Sequence, residues 1–430
     1  MNAGKIIFGG VVSLLAGMFV SMSAAPAVAQ YGGVISGTGP INRSMGGAAT
    51  ASPLSAAGAL YWNPATLSGL KSSELDIGAE LLFPHAQMSS TVGAASGTTK
   101  NEDAVFPLPT IALAFRPDGS PITFGFGLFA VAGFGLDYAG NEANPVQAST
   151  GLGFGPIFSQ YQVLQVAPAV SLQLTDQLSV SFSPLLDIGS AQLDPAVFAT
   201  PNPSGYPSGM HSRSSWGAGF SLGTYYKAGD WGLGASYKSQ QWFTPFRFSA
   251  EDDLGAPRSF EFNLDVPAIT SVGASYSGIE HILLAVDLRY IDYENADGFG
   301  QSGFVGGALQ GVGFESIFAV AMGAQYQMTD AVSVRVGYLW NENPVPDSQT
   351  SANVASPVVI QHQLSFGASY QMTDALSLSL AYAHAFENSI QGSIIDPGTN
   401  APIPGTSIRS AASIDMVMFG ATVKFGGSKR

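Results

Sequence analysis

The residues able to do chemistry are few, and their spacing favours binding over catalysis. Five histidines, His85, His211, His281, His362 and His384, are scattered along the chain. None stands in the H-E-x-x-H spacing that sets two imidazoles on one helix face around a zinc ion. There are no cysteines, so thiolate catalysis, thiolate metal sites and disulfides are excluded. No G-x-S-x-G element supplies a nucleophile elbow. The glycine run from Gly151 to Gly155 lacks the strand-to-helix setting of a phosphate loop. The expectation is a protein that is no enzyme, with no catalytic residue, no metal and no cofactor. Three cations, Lys238, Arg289 and Arg335, sit in alternating segments where they could meet a carboxylate, although Arg289 has the competing option of pairing with Asp287. Phe134, Leu136, Leu152, Phe154, Ile157, Phe158, Val197 and Phe198 fall in or beside long irregular stretches. They are the candidates for the apolar wall of a ligand pocket.

The elements that must position these residues are strands. Leu376, Leu378, Leu380 and Tyr382 alternate with Ser377, Ser379, Ala381 and Ala383, one greasy face against one small, weakly polar face. That is strand period. Ile282 to Tyr290, Val332 to Trp340 and Leu364 to Tyr370 repeat it. Tyr326-Gln327-Met328-Thr329-Asp330 and Tyr370-Gln371-Met372-Thr373-Asp374 are nearly the same turn, and Leu174-Thr175-Asp176 is a third. Six short turns alternate with seven longer stretches, near 86–103, 132–160, 188–212, 244–257, 294–311, 342–357 and 388–410. Together they join fourteen strands with both ends on the short-turn side. Short turns on one rim and long loops on the other describe a bacterial outer-membrane barrel. An open sheet in lipid would strand its edge N–H and C=O groups at several kcal/mol each. The last strand, Ala411 to Phe425, is therefore expected to pair with the first, Leu75 to Phe83. Aromatic residues beside the turns, among them Trp231, Tyr276, Tyr326 and Tyr370, suit an interfacial girdle.

Composition agrees. Charged residues make up 11% of the chain and hydrophobic residues 46%, against about 25% charged in soluble domains. The net charge of −14 argues against nucleic acid as a partner. Lys5, the apolar stretch Ile6 to Val20 and Ala27-Val28-Ala29 read as a signal peptide over 1–29. Residues 30–72, rich in Gly, Ala and Ser, read as a separate plug, and 73–430 as the barrel.

Several segments resemble a known family, the outer-membrane transporters of long-chain fatty acids and aromatic hydrocarbons (FadL/TodX-like proteins). Ser44-Met45-Gly46-Gly47-Ala48-Ala49-Thr50 through Tyr61-Trp62-Asn63-Pro64-Ala65 is similar to the family's hatch with its Asn-Pro-Ala signature. Phe134-Gly135-Leu136-Asp137-Tyr138 resembles a family loop motif. Arg335 to Asp347 resembles its late strand and Pro-x-Pro-Asp loop. The resemblance spans essentially the whole mature chain. It implies a barrel blocked by the hatch, with a hydrophobic molecule captured among the external loops. That molecule passes to a lumenal site and leaves sideways beside a kinked third strand. Carried over, Asn63, Pro64 and Ala65 form the hatch motif, and Gly125, Gly127 and Gly133 mark the gate strand. Phe134, Leu136, Phe154, Phe158, Phe198, Arg289 and Arg335, from the loops and the inward strand faces, are the ligand-binding candidates. Expected partners are the hydrophobic ligand, outer-membrane lipid and lipopolysaccharide, and the barrel assembly machinery. Assembly normally reads a terminal aromatic, whereas here Phe425 is followed by five further residues. The rival reading is a general diffusion porin for small hydrophilic solutes.

Overall fold

The computed structural model describes residues 31–102, 104–148, 153–203, 205–210, 212–251 and 256–426. The expected signal peptide, the Gly151 end of the glycine run, Leu152, His211 and the tail after Gly426 lie outside them. Fourteen antiparallel strands form one sheet. The first seven are β1 (Ser73–Val92), β2 (Phe106–Phe115), β3 (Ile122–Tyr138), β4 (Ile157–Gln173), β5 (Leu178–Asp194), β6 (Ser215–Ala228) and β7 (Trp231–Lys238). The rest are β8 (Ala268–Ile279), β9 (Ile282–Asp292), β10 (Ile317–Gln327), β11 (Val332–Asn341), β12 (His362–Gln371), β13 (Leu376–Gly392) and β14 (Thr406–Phe425). Each pairs with its sequence neighbours, and β1 pairs with both β2 and β14, which closes the barrel. The seam runs from Ser73 opposite Phe425 to Val92 opposite Thr406. Closure pairs the first and last strand edges, which lipid would otherwise strand.

The two faces sort as the alternation requires. Leu378, Leu380, Tyr382, Phe366, Tyr370 and Met322 are exposed on the outside, while Ser377, Ser379, Ala381 and Ala383 are buried on the inside. An exterior of Leu, Val and Phe side chains is stable when acyl tails replace water, because apolar area then carries no hydration cost.

Towards the long-loop rim the sheet extends further than the sequence pattern suggests. β1 runs to Val92 and continues into a hairpin with Ala95–Lys100; β3 reaches Tyr138, β4 starts at Ile157, β5 reaches Asp194, and β13 and β14 end and begin at Gly392 and Thr406. Parts of 86–103, 132–160, 188–212 and 388–410 are therefore strand rather than loop. These extensions stand above the hydrocarbon, so their outer face is polar and the greasy/small alternation lapses. Gln87, Ser89 and Thr91 show it on β1.

Residues 31–72 fill the bore. They form a short helix α1 (Gly39–Ser44), a second helix α2 (Ala56–Trp62) and a 3-10 turn over Pro64–Gly69. Ser55 caps α2 by accepting from Gly58 N at 3.2 Å. The next amides are satisfied by the wall: Glu74 Oε1 accepts from Ala56 N at 2.7 Å and Asp76 Oδ2 from Ala57 N at 3.0 Å. On the far side plug and wall meet backbone to backbone. Gly46 adopts φ +65°, open to glycine without strain, and a Cβ added at Gly337 would collide with the Gly46 amide.

Candidate functional site

Asn63 is the staple of the plug. Its Nδ2 donates to Thr50 O at 2.7 Å and to Thr224 O of β6 at 2.8 Å, while its Oδ1 accepts from Ala65 N at 3.1 Å. The residue thus ends α2, opens the 3-10 turn and ties both to the wall. Pro64 occupies the first position of that turn, where a missing N–H costs nothing. Ala65 is fully buried, its carbonyl accepting from Ser171 Oγ at 3.2 Å.

Charged side chains of the wall face the plug, not an open channel. Asp287 Oδ2 accepts from Ala49 N (2.8 Å), Thr50 N (2.9 Å), Thr50 Oγ1 (2.8 Å) and Arg289 Nη2 (2.6 Å). Arg289 also donates to Tyr31 Oη at 2.7 Å and Gly47 O at 2.8 Å, and its guanidinium lies 3.6 Å from the Trp62 ring centre. Lys238 Nζ sits 4.4 Å from the centre of the Tyr61 ring. Arg43 of the plug binds Glu80 of β1 at 2.5 Å. Arg335 lies nearer the short-turn rim, donating to Gln325 Oε1 and Ser369 Oγ, both at 2.7 Å. Arg289 and Arg335, expected as head-group contacts, therefore spend their donors on the plug and the wall. Buried cations in an apolar bore need such partners.

The third strand is irregular. Between Ala130 opposite Leu164 and Ala132 opposite Val163, β3 carries one extra residue, Val131. A one-residue bulge exchanges the two faces of a strand. Phe129 faces inward, opposite Gln165; beyond the bulge Phe134, opposite Tyr161, faces inward as well, and Leu136 and Tyr138 are fully buried. The ladder from β2 to β3 runs from Phe115 opposite Phe124 to Thr110 opposite Phe129 and stops. Pro107 and Pro109, in the part of β2 beyond that point, bring no N–H. The edges rejoin where Glu102 N donates to Asp137 O at 2.9 Å. Across the interval the leading segment of the chain takes the place of β2. Ile35 N donates to Val131 O at 2.9 Å, Gly133 N donates to Gly33 O at 3.0 Å, and Val34 stands opposite Ala132. Tyr293, just past β9, anchors this segment: its hydroxyl donates to Tyr31 O and accepts from Val34 N at 3.2 Å. Burial raises the pKa of that phenol above its usual range, so it stays protonated and able to donate. Of the three strand glycines, Gly125 leaves room for Leu60 and Leu67 of the plug, Gly127 for the ring of Phe129, and Gly133 for the Tyr161 carbonyl beside the bulge.

Above the plug, on the long-loop side, lies a narrow cavity lined mainly by aromatic side chains. Phe134 and Phe198 line it, as the sequence suggested. Phe198 stacks on Phe262 with centroids 3.5 Å apart, and Phe248 stacks on Phe260 at 4.7 Å. Phe154, with Ile157 and Val197, lines a neighbouring cleft among the loops instead. Leu136 is packed in the core beneath. Phe158 is half-buried on the face of β4 opposite to Ile157, Ser159 and Tyr161, because strand alternation turns it away from the bore. Sequence reasoning missed Tyr161, Phe246, Phe248, Phe260, Phe262, Phe299 and Phe314. A signal was present: Phe246/Phe248 and Phe260/Phe262 alternate with period two on either side of an acidic turn, and they pair as a hairpin over Phe246–Glu251 and Pro257–Phe262.

Comparison with known proteins supports the same conclusion. The sequence matches the family described as outer membrane protein transport protein (OMPP1/FadL/TodX) over residues 18–425. Comparison with curated protein sequences found no match. Among solved structures, the P. putida toluene transporter TodX superposes with a TM-score of 0.68 at 18% identity, covering 91% of this chain and 100% of that one. A Pseudomonas aeruginosa FadL homologue gives 0.70 at 14%, covering 92% and 100%. The Ralstonia pickettii toluene transporter TbuX gives 0.63 at 20%, covering 91% and 99%. At such identities the likeness speaks for the fold, whereas the match along nearly the whole sequence speaks for descent. A closed fourteen-stranded barrel with that match belongs to the OMPP1/FadL/TodX family of outer-membrane transport proteins.

Proposed function

We propose that this outer-membrane transporter takes a hydrophobic molecule into the aromatic cavity and releases it sideways into lipid, through the interval between β2 and β3 beside the Val131 bulge. One observation carries the reading: the β2–β3 ladder stops at Phe129, and the vacated edge is covered by Gly33–Ile35 of the plug. A cover that belongs to the plug can leave without breaking the barrel seam. Lateral exit also suits the cargo, since each CH₂ gains about 0.8 kcal/mol on entering hydrocarbon and loses it on entering water. No observation favours a water-filled pore, because the described plug residues Tyr31 to Leu70 are almost all buried within the barrel.

The chain contains no cysteine, which gives a clean test. Val34 and Ala132 face each other across an antiparallel bridge, within reach of a disulfide. Val34→Cys with Ala132→Cys, oxidised, is expected to stop uptake into proteoliposomes and to recover with reductant. Wild-type uptake by the oxidised pair would end the lateral-release reading.

A further inference from the structure

We infer that the aromatic cavity is built for an uncharged aromatic molecule bearing a hydroxyl, the phenol class, and excludes carboxylates. This rests on the cavity being where the hydrophobic cargo binds. Among its described lining residues there is no Asp, Glu, Lys, Arg or His. A carboxylate moved there would lose its hydration and find no cation, a heavy penalty in an apolar site. Arg289 and Arg335 offer no rescue, since one is committed to Asp287, Tyr31 and Gly47 and the other to Gln325 and Ser369.

The way in carries the same preference. The seven segments that join strands at the long-loop rim hold fourteen acidic residues against four basic ones. Such a mouth lowers the local concentration of anions and leaves neutral solutes unaffected.

Ring geometry selects a flat cargo. Phe198 on Phe262 and Phe248 on Phe260 lie within 22° and 5° of parallel, and faces of this kind accept a further ring by offset stacking.

Ser159, Gln160, Gln192 and Ser356 also line the cavity, but among its described lining residues Tyr161 is the one with a buried polar atom left without a partner. It lines the cavity, it is 1% exposed, and its hydroxyl has no hydrogen-bond partner in the protein. The phenols of Tyr61 and Tyr293, by contrast, each donate to a plug carbonyl. Tyr138 also lacks a partner but does not line the cavity. A buried hydroxyl without a partner is costly, and a hydroxyl on the cargo can both give it a proton and take one from it.

Equilibrium binding in lipid nanodiscs, with empty nanodiscs subtracting partition, separates the possibilities using p-cresol, p-xylene, p-toluate and dodecanoate at neutral pH. p-Cresol is expected to bind about tenfold more tightly than p-xylene, a ratio set by one hydrogen bond, with no saturable binding of either carboxylate. Tyr161→Phe should bring p-cresol to the level of p-xylene and leave p-xylene unchanged. Carboxylates binding as well as p-cresol, or a cresol-to-xylene ratio insensitive to Tyr161→Phe (the result if an ordered water already serves the hydroxyl), would overturn the inference while leaving a hydrophobic site in place. Saturable binding of none of the four would remove the site itself, and the proposed function with it.

Discussion

At the scale of single residues, the plug is held by side chains of the wall that reach its backbone. Asp287 alone accepts three bonds from Ala49 and Thr50 and one from Arg289. Asp287→Asn keeps the volume but leaves Arg289 buried without its counter-charge, a loss of about 3 kcal/mol. The expected readout is hydrogen exchange at the Ala49 and Thr50 amides, faster by roughly a hundredfold, with the barrel amides unchanged. Asn63→Ala removes two donors and one acceptor at once. It should cost about 2 kcal/mol of local stability and show as proteolytic nicking between α2 and the 3-10 turn. Unaltered protection in either variant would mean the plug is held mainly by its apolar packing.

At the scale of elements, the bulge decides which residues the bore receives. Inserting one residue between Ala132 and Gly133 would slip everything beyond it by one position against β4 and turn Phe134, Leu136 and Tyr138 outward. The expected result is loss of saturable ligand binding in a barrel that still assembles, checked by heat-modifiable migration alongside the binding assay; retained binding would show that the face exchange is unimportant. Alternation also explains what could and could not be read beforehand. Fourteen strands were legible because Leu, Val and Tyr must alternate with Ser, Gly and Ala wherever lipid faces bore, and because Met-Thr-Asp turns recur. The Asn63-Pro64-Ala65 motif was legible by family likeness. Phe134 lines the aromatic cavity, whereas Phe158 turns away from the bore, because β4 already begins at Ile157, inside a stretch read as loop where no alternation is sought. Arg289 and Arg335 show their face in the sequence but not all their partners: Arg289 takes the expected Asp287 and also Tyr31 and Gly47 of the distant plug, while Arg335 is held by Gln325 and Ser369 of the neighbouring strands. The Phe246 to Phe262 hairpin went unread because it stands above the membrane, where no lipid enforces a greasy stripe.

At the scale of the whole molecule, the barrel and its stopper are separable. The seam pairs β1 with β14 along twenty residues of each strand, and no plug residue takes part in it. Deleting residues 31–71 should therefore leave a cylinder that still migrates as a folded barrel, while steady conductance in planar bilayers rises from near zero to that of a wide pore. A deletion variant that fails to close would show that the plug templates the barrel. Charge belongs to this scale too: fourteen acidic residues stand against four basic ones in the long-loop segments, ten against six in the strands and six against one in the short turns.

The contact between Gly46 and Gly337 has one more consequence. Where two main chains touch with nothing between them, no rotamer can adjust, so even a methyl at Gly337 acts as a wedge. Attempts to retune the cargo by mutagenesis are free to reshape the phenylalanines overhead, but they must leave that seat bare, or the stopper will ride up off its bearing.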